Sequence, residues 1–248
     1  MPPNGSPGGS LHPLQLRRRH PLVLPAGKPA GHDRRDSRLR QRSGRWMMPQ
    51  LEWIVCSSMR RELEELARRG CIPGELRFLD SMLHMDPQRL EHSIEDSLED
   101  RADLQHVLVF GECCPGMYKL EHRSDVIRVD APNCSNLLLG KKRHQEWTRR
   151  GAFFLLPEWA ERWREIFEQE LGFTEELLSE FMKENHSCLV YLDTGLVPVP
   201  LDSLQECART TGLALFIESV GLDALAETLR ESLIRAGGAE ERKLGDSP

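Results

Sequence analysis

Several things are missing from this chain of 248 residues. No apolar stretch approaches the roughly 20 residues of a membrane span. Leu22-Val23-Leu24 is far shorter than the ~7–15 residues of a secretory core. No G-x-G-x-x-G follows the first strand-like run, and there is no Walker-type lysine, so no nucleotide motif supports a dinucleotide or nucleotide cofactor. There is no C-x-x-C and hence no zinc-finger spacing. Seven cysteines are too few and too odd in number for a disulfide scaffold. With no export signal they read as reduced thiols of a cytoplasmic protein. No repeat of 20–50 residues is visible.

Charge is unevenly spread. Residues 1–46 hold ten Lys and Arg against two Asp and Glu. With −6 overall and +8 there, the rest carries −14. A surface that acidic argues against nucleic acid as a partner of the folded part. The basic segment is rich in Pro, Gly and Arg and lacks a hydrophobic period, so it reads as a disordered tail. One α/β domain is expected over residues 47–236, followed by a flexible tail over 237–248.

From Leu51 strand-like and helix-like segments alternate. Strands are expected at Leu51–Cys56, Glu75–Leu79, His106–Phe110, Val126–Val129, Ala152–Leu156, Cys188–Leu192 and Leu213–Ile217. Helices are expected at Arg60–Arg69, from Pro87, and at Ser135–Trp147, Glu158–Glu170, Thr174–Lys183, Leu201–Thr211 and Leu222–Ile234. Such alternation with near-continuous apolar strands implies a Rossmann-like, doubly wound α/β fold. Its sheet would be mostly parallel, with helices on both faces.

Three strand-like runs end on a cysteine or lead straight to one: Cys56, Cys113 and Cys134. Parallel strands would bring these thiols to one sheet edge, where open α/β sheets bind ligands. Ser57 and Ser58 follow Cys56 at a helix start and could contact an anion. Gly111-Glu112-Cys113-Cys114-Pro115-Gly116 forces a sharp turn with exposed N–H groups and two thiols. Cys113, nearer the strand end, is the favoured thiol of that pair. Cys134 sits at the next helix start, with Asn133 or Ser135 as cap, and a helix N-terminus lowers a thiol pKa. His84 precedes a helix in Leu83-His84-Met85-Asp86-Pro87. Cys71, Cys188 and Cys207 read as structural.

Two chemistries fit this set. Cys56, Cys113, Cys134 and His84 suit a metal ion or an iron–sulfur cluster, with Ser57, Ser58, Gly111 and Asn133 as ligand contacts. Alternatively Cys113 is a metal-free nucleophile, with His84 or Glu112 taking the proton. A third possibility is a small-molecule binding module whose cysteines only pack.

Cys56-Ser57-Ser58, Leu83-His84-Met85-x-Pro87, Gly111-Glu112-Cys113, Asn133-Cys134 and Tyr191-Leu192-Asp193-Thr194-Gly195 resemble an uncharacterised family, domain of unknown function 1638. The resemblance spans about Leu51 to Ile234. It departs from the family pattern at Asn133, where many members carry His, and at Cys114, where Gly is frequent. Members are often encoded near corrinoid-dependent methyltransferases. The resemblance therefore implies a metal- or cluster-binding accessory of one-carbon metabolism, partnered by a corrinoid protein or a methyltransferase.

Overall fold

The computed structural model describes residues 50–245, with side chains to Gly237. The expected tail over residues 1–46 lies outside the described residues.

β1 (Leu51–Cys56) is buried along its whole length. It lies between β2 (Glu75–Leu79) and β3 (Gln105–Val109), and β4 (Val126–Arg128) pairs with β3. All three pairings are parallel, giving the order β2-β1-β3-β4. A central strand covered on both faces needs apolar side chains on both, which Trp53, Ile54 and Val55 supply. A second sheet takes β5 (Ala152–Leu155), β6 (Cys188–Asp193) and β7 (Ala214–Ser219) in the order β5-β6-β7, again parallel. The doubly wound α/β class is as expected, but the strands divide between two sheets. No helix among the described residues is long and apolar enough to cross a membrane.

α1 (Arg60–Arg68) follows β1 through a 3-10 turn at Ser57–Met59. α2 (Pro87–Asp100) starts as its sequence dictates: Asp86 accepts a hydrogen bond from the Arg89 N–H, and Pro87 fills the first helical position. A four-residue helix not foreseen from sequence, α3 (Met117–Leu120), follows the Cys113-Cys114 turn. α4 (Cys134–Arg149) is broken at Gly140, whose φ of 72° and ψ of 157° interrupt it. That break sits between the two sheets in sequence, where one continuous helix was expected.

α5 (Pro157–Arg164) passes into a π-helical segment, Glu165–Glu170. α6 (Glu175–Asn185) and α7 (Leu201–Thr211) complete the second half, and α8 (Asp223–Gly245) runs past the expected end at Ile234. One apolar cluster joins the halves: Trp53, Val55 and Leu63 share it with Leu137, Val190, Leu192, Leu225 and Leu229. The edge that carries the carboxyl ends of β1, β3 and β4 is therefore held against the second half.

Candidate functional site

A cavity of about 320 Å3 opens at that edge. Cys56, Cys113 and Cys134 all line it: Cys56 ends β1, Cys113 lies in the turn after β3, and Cys134 opens the helix after β4. Its walls are mostly apolar: Leu90 and Phe110 from the first half, Phe153, Phe154, Leu156 and Trp159 from the second. Polar groups reach it from Ser58, His84, Asn133 and His186. A mostly apolar pocket with a few convergent polar groups is the common form of a small-molecule site.

Local chemistry fixes each thiol. The Cys56 sulfur is 3.1 Å from the Ser58 hydroxyl. Asn133 caps α4, its side-chain oxygen accepting from the Asn136 N–H at 2.9 Å and the Ser135 hydroxyl at 2.8 Å, which sets Cys134 in the first turn. Gly111 is buried, and the space around it admits no side chain. A Cβ at that position would lie 2.2 Å from the Pro132 carbonyl oxygen and 2.5 Å from the Asn133 Cα. The Glu112 N–H donates to that same Pro132 oxygen at 2.9 Å. The turn bearing Cys113 is thus locked onto the turn bearing Cys134.

The three thiols do not ionise with equal ease. The neighbouring Cys134 thiol, opposed by burial and helped by hydrogen bonds from Ser58, holds Cys56 below the usual thiol range. Cys134 is pushed well up, first by donating to Cys56 and then by burial. Burial, then the nearby Cys56, pushes Cys113 up to about 11. The arrangement makes Cys56 the easiest of the three thiols to ionise. Cys56 is favoured first because the Cys134 thiol donates to it, and then because the Ser58 hydroxyl and N–H both serve it.

The other sequence candidates separate clearly. His84 lies on the 3-10 turn Ser81–Met85, exposed, with its ring edge-on to Trp159 at 6.1 Å between centroids. Burial of the cavity-facing part lowers its pKa. Ser57 does not line the thiol cavity; its hydroxyl accepts from the Ser81 N–H at 2.8 Å and ties the two loops together. Glu112 is exposed and turns away into a separate surface cavity with Cys114, Tyr118 and Arg128. It cannot take a proton inside the thiol cavity, because the locked turn points it outward. Cys113 lines both cavities, whereas Cys114 lines only the outer one. Cys188 and Cys207 are buried away from the site, and Cys71 is exposed.

Sequence reasoning missed the aromatic wall. Phe153 and Phe154 read as ordinary strand residues, and Trp159 as part of a helix stripe. His186, just past α6, carried no local signal. Only the docking of the second sheet brings these rings over the thiols.

Among the described residues no three His, Cys, Asp or Glu side chains already form a ligand set for one ion. Cys56, Cys113 and Cys134 line one cavity together with His84 and Asp80, and thiol sulfur is the donor type that soft metals prefer.

No curated protein and no solved structure matches the chain. One family profile does, over residues 78–229, a span that includes His84, Cys113 and Cys134 and leaves Cys56 outside. That profile is described as "Protein of unknown function (DUF1638)", and with more than half of its length matched the chain belongs to that family.

Proposed function

We propose that Cys56, Cys113 and Cys134 form a thiolate centre for a soft metal ion or an iron–sulfur cluster, and that the cavity admits a small, largely apolar molecule to it. One observation carries this reading: three thiols from three separate strand ends meet on one cavity wall. Burial first at Cys113, and the neighbouring Cys56 first at Cys134, oppose ionisation of these two thiols. A bound cation offsets that opposition, because thiol ligands deprotonate against it. Three protein ligands would leave a position open toward the cavity, where a metal polarises a bound molecule or exchanges a ligand. His84, at the cavity rim, would be the fourth ligand or a proton donor. A centre of this kind suits a reducing, cytoplasmic setting. It also suits the accessory role beside a corrinoid protein or methyltransferase that the family resemblance implies.

The test is metal and sulfide per chain on protein purified without oxygen. Wild type should retain metal. Cys113→Ser and Cys134→Ser should lose most of it, while Cys188→Ser, altered in the core of β6, should keep it. Wild type free of metal under these conditions rejects the reading.

A second reading has its own support. The Cys56 thiol is already lowered without a metal, so it could act as a nucleophile without a histidine base. Cys113, the nucleophile expected from sequence, is poorly suited because burial keeps it protonated. Metal-free protein whose Cys56 alone alkylates rapidly at neutral pH would favour this reading.

A further inference from the structure

The thiol cavity has a neighbour of different chemistry. A second cavity, of about 450 Å3, adjoins it across Ser58 and Asp80, which line both. Arg60 and Arg61 from the first turn of α1, Phe78 from β2, and Arg162 from α5 stand on its walls. The Arg60 guanidinium carbon lies 4.0 Å over the Phe78 ring. Its ion-pair partner Glu64 is 3.6 Å away, and both side chains are about half exposed. Stacking fixes the plane of a guanidinium and leaves its N–H edge for an oxyanion.

Each of the three carboxylates on the same walls, Glu62, Asp80 and Glu158, has at least one hydrogen-bond partner. Asp80 accepts from the Met82 N–H at 2.9 Å. One Glu158 oxygen accepts from the Ser81 hydroxyl and from Arg162, both at 2.9 Å. Glu62 is 1% exposed, accepts from the Thr194 hydroxyl at 3.1 Å, and is pushed toward its neutral form by burial. Arg61 is ion-paired with Glu161, and Arg162 with Glu158 and Glu165, so both guanidinium groups stay in place and Arg60 is the least tightly paired of the three. The Ser57 hydroxyl accepts from Ser81 and keeps its own proton to donate. The second Glu158 oxygen is buried without a partner, a spare acceptor for a ligand hydroxyl.

We propose that this cavity is an oxyanion subsite of the thiol cavity. The molecule brought to Cys56 is then a small acid, its carboxylate or phosphate group held by Arg60 over Phe78 and its apolar part lying against the thiols. The proposal rests on the thiol cavity being a ligand site, not on the presence of metal.

Thermal unfolding with inorganic phosphate, and separately with acetate, is compared with chloride at equal ionic strength. Wild type should gain about 3 °C at roughly ten times the dissociation constant of the bound probe. Arg60→Gln should lose that gain. A response to phosphate assigns a phosphate group, and a response to acetate alone assigns a carboxylate. No gain in wild type, or an equal gain in Arg60→Gln, overturns the subsite.

A second readout uses the thiol itself. On metal-free protein, dianionic 5,5′-dithiobis(2-nitrobenzoate) is compared with neutral 2,2′-dithiodipyridine at Cys56, with exposed Cys71 as internal reference. The anionic-to-neutral rate ratio at Cys56 should exceed that at Cys71 by about tenfold, the effect of one charge-assisted contact. It should fall to the Cys71 ratio in Arg60→Gln. Equal ratios in wild type overturn the proposal. Metal per chain, measured separately before metal is stripped, reports on the thiolate centre alone, so either reading can fail without the other.

Discussion

Replacing Ser58 by alanine removes the hydroxyl 3.1 Å from the Cys56 sulfur and leaves the Ser58 N–H and the Cys134 thiol as they are. A hydrogen bond to a charged group contributes about 1.5–3 kcal/mol. Because about 1.4 kcal/mol is a tenfold change in an ionisation equilibrium, the Cys56 thiolate fraction at neutral pH should fall about 10- to 100-fold. The Ser58 hydroxyl also lowers Cys134, so the charge cannot simply transfer to that neighbour. Both thiols become harder to ionise in the variant.

The assay is the pH–rate profile of iodoacetamide alkylation at Cys56, quantified on the modified peptide after metal has been stripped. Half-maximal reactivity should move up by about one to two pH units in Ser58→Ala. Ser58→Thr, which keeps the hydroxyl, should stay near wild type. Near-UV circular dichroism checks that packing is intact. An unchanged profile in Ser58→Ala would refute the assignment of the thiolate, as would Cys113 reacting before Cys56 in wild type.

Gly111→Ala should destabilise by about 1–3 kcal/mol in denaturant titration, since the new methyl meets backbone at Pro132 and Asn133 that cannot rotate away; an unchanged midpoint contradicts the locked turns. Stability should fall on both sides of neutrality. Burial lowers His84, His106, His144 and His186, so the unfolded chain binds more protons than the fold as pH drops through 6.5, and stability declines there. Cys113, raised to about 11, and Cys207 and Tyr191, raised to about 12, stay protonated in the fold while the unfolded chain ionises from 9.0 to 10.0, so stability declines there too. Urea midpoints across that range check both limbs, and a flat alkaline limb would contradict the second. Glu52→Gln should raise stability at pH 8 by about 1 kcal/mol. The His106 Nε2–H donates to the Arg101 carbonyl, so neutral His106 turns a bare Nδ1 toward a Glu52 oxygen at 3.3 Å. The amide would donate to Nδ1 and still accept from Arg77; a lower denaturation midpoint would reject this pairing.

The thiol trio was legible because its positions follow from local rules. An apolar run such as Leu51–Cys56 has one reading as a central parallel strand, and Cys56 then falls at its carboxyl end. Cys113 and Cys134 follow from the same logic, since a strand followed by Gly or Pro must turn at the sheet edge. Nothing local foretold which thiol would ionise most easily. That depends on the Cys134 thiol lying beside Cys56 and on burial around Cys113, both consequences of packing. The division into two sheets was equally hidden. It arises where β4 has only three residues and Gly140 interrupts α4, and a glycine in a helical pattern signals a break only when tertiary contacts require one. The same division brings Phe153, Phe154 and Trp159 over the thiols and places Arg162 opposite Arg60. The cysteines are thus a property of one sheet edge. The shape and charge of what they meet are set by the second sheet and α5, which no motif near the cysteines describes.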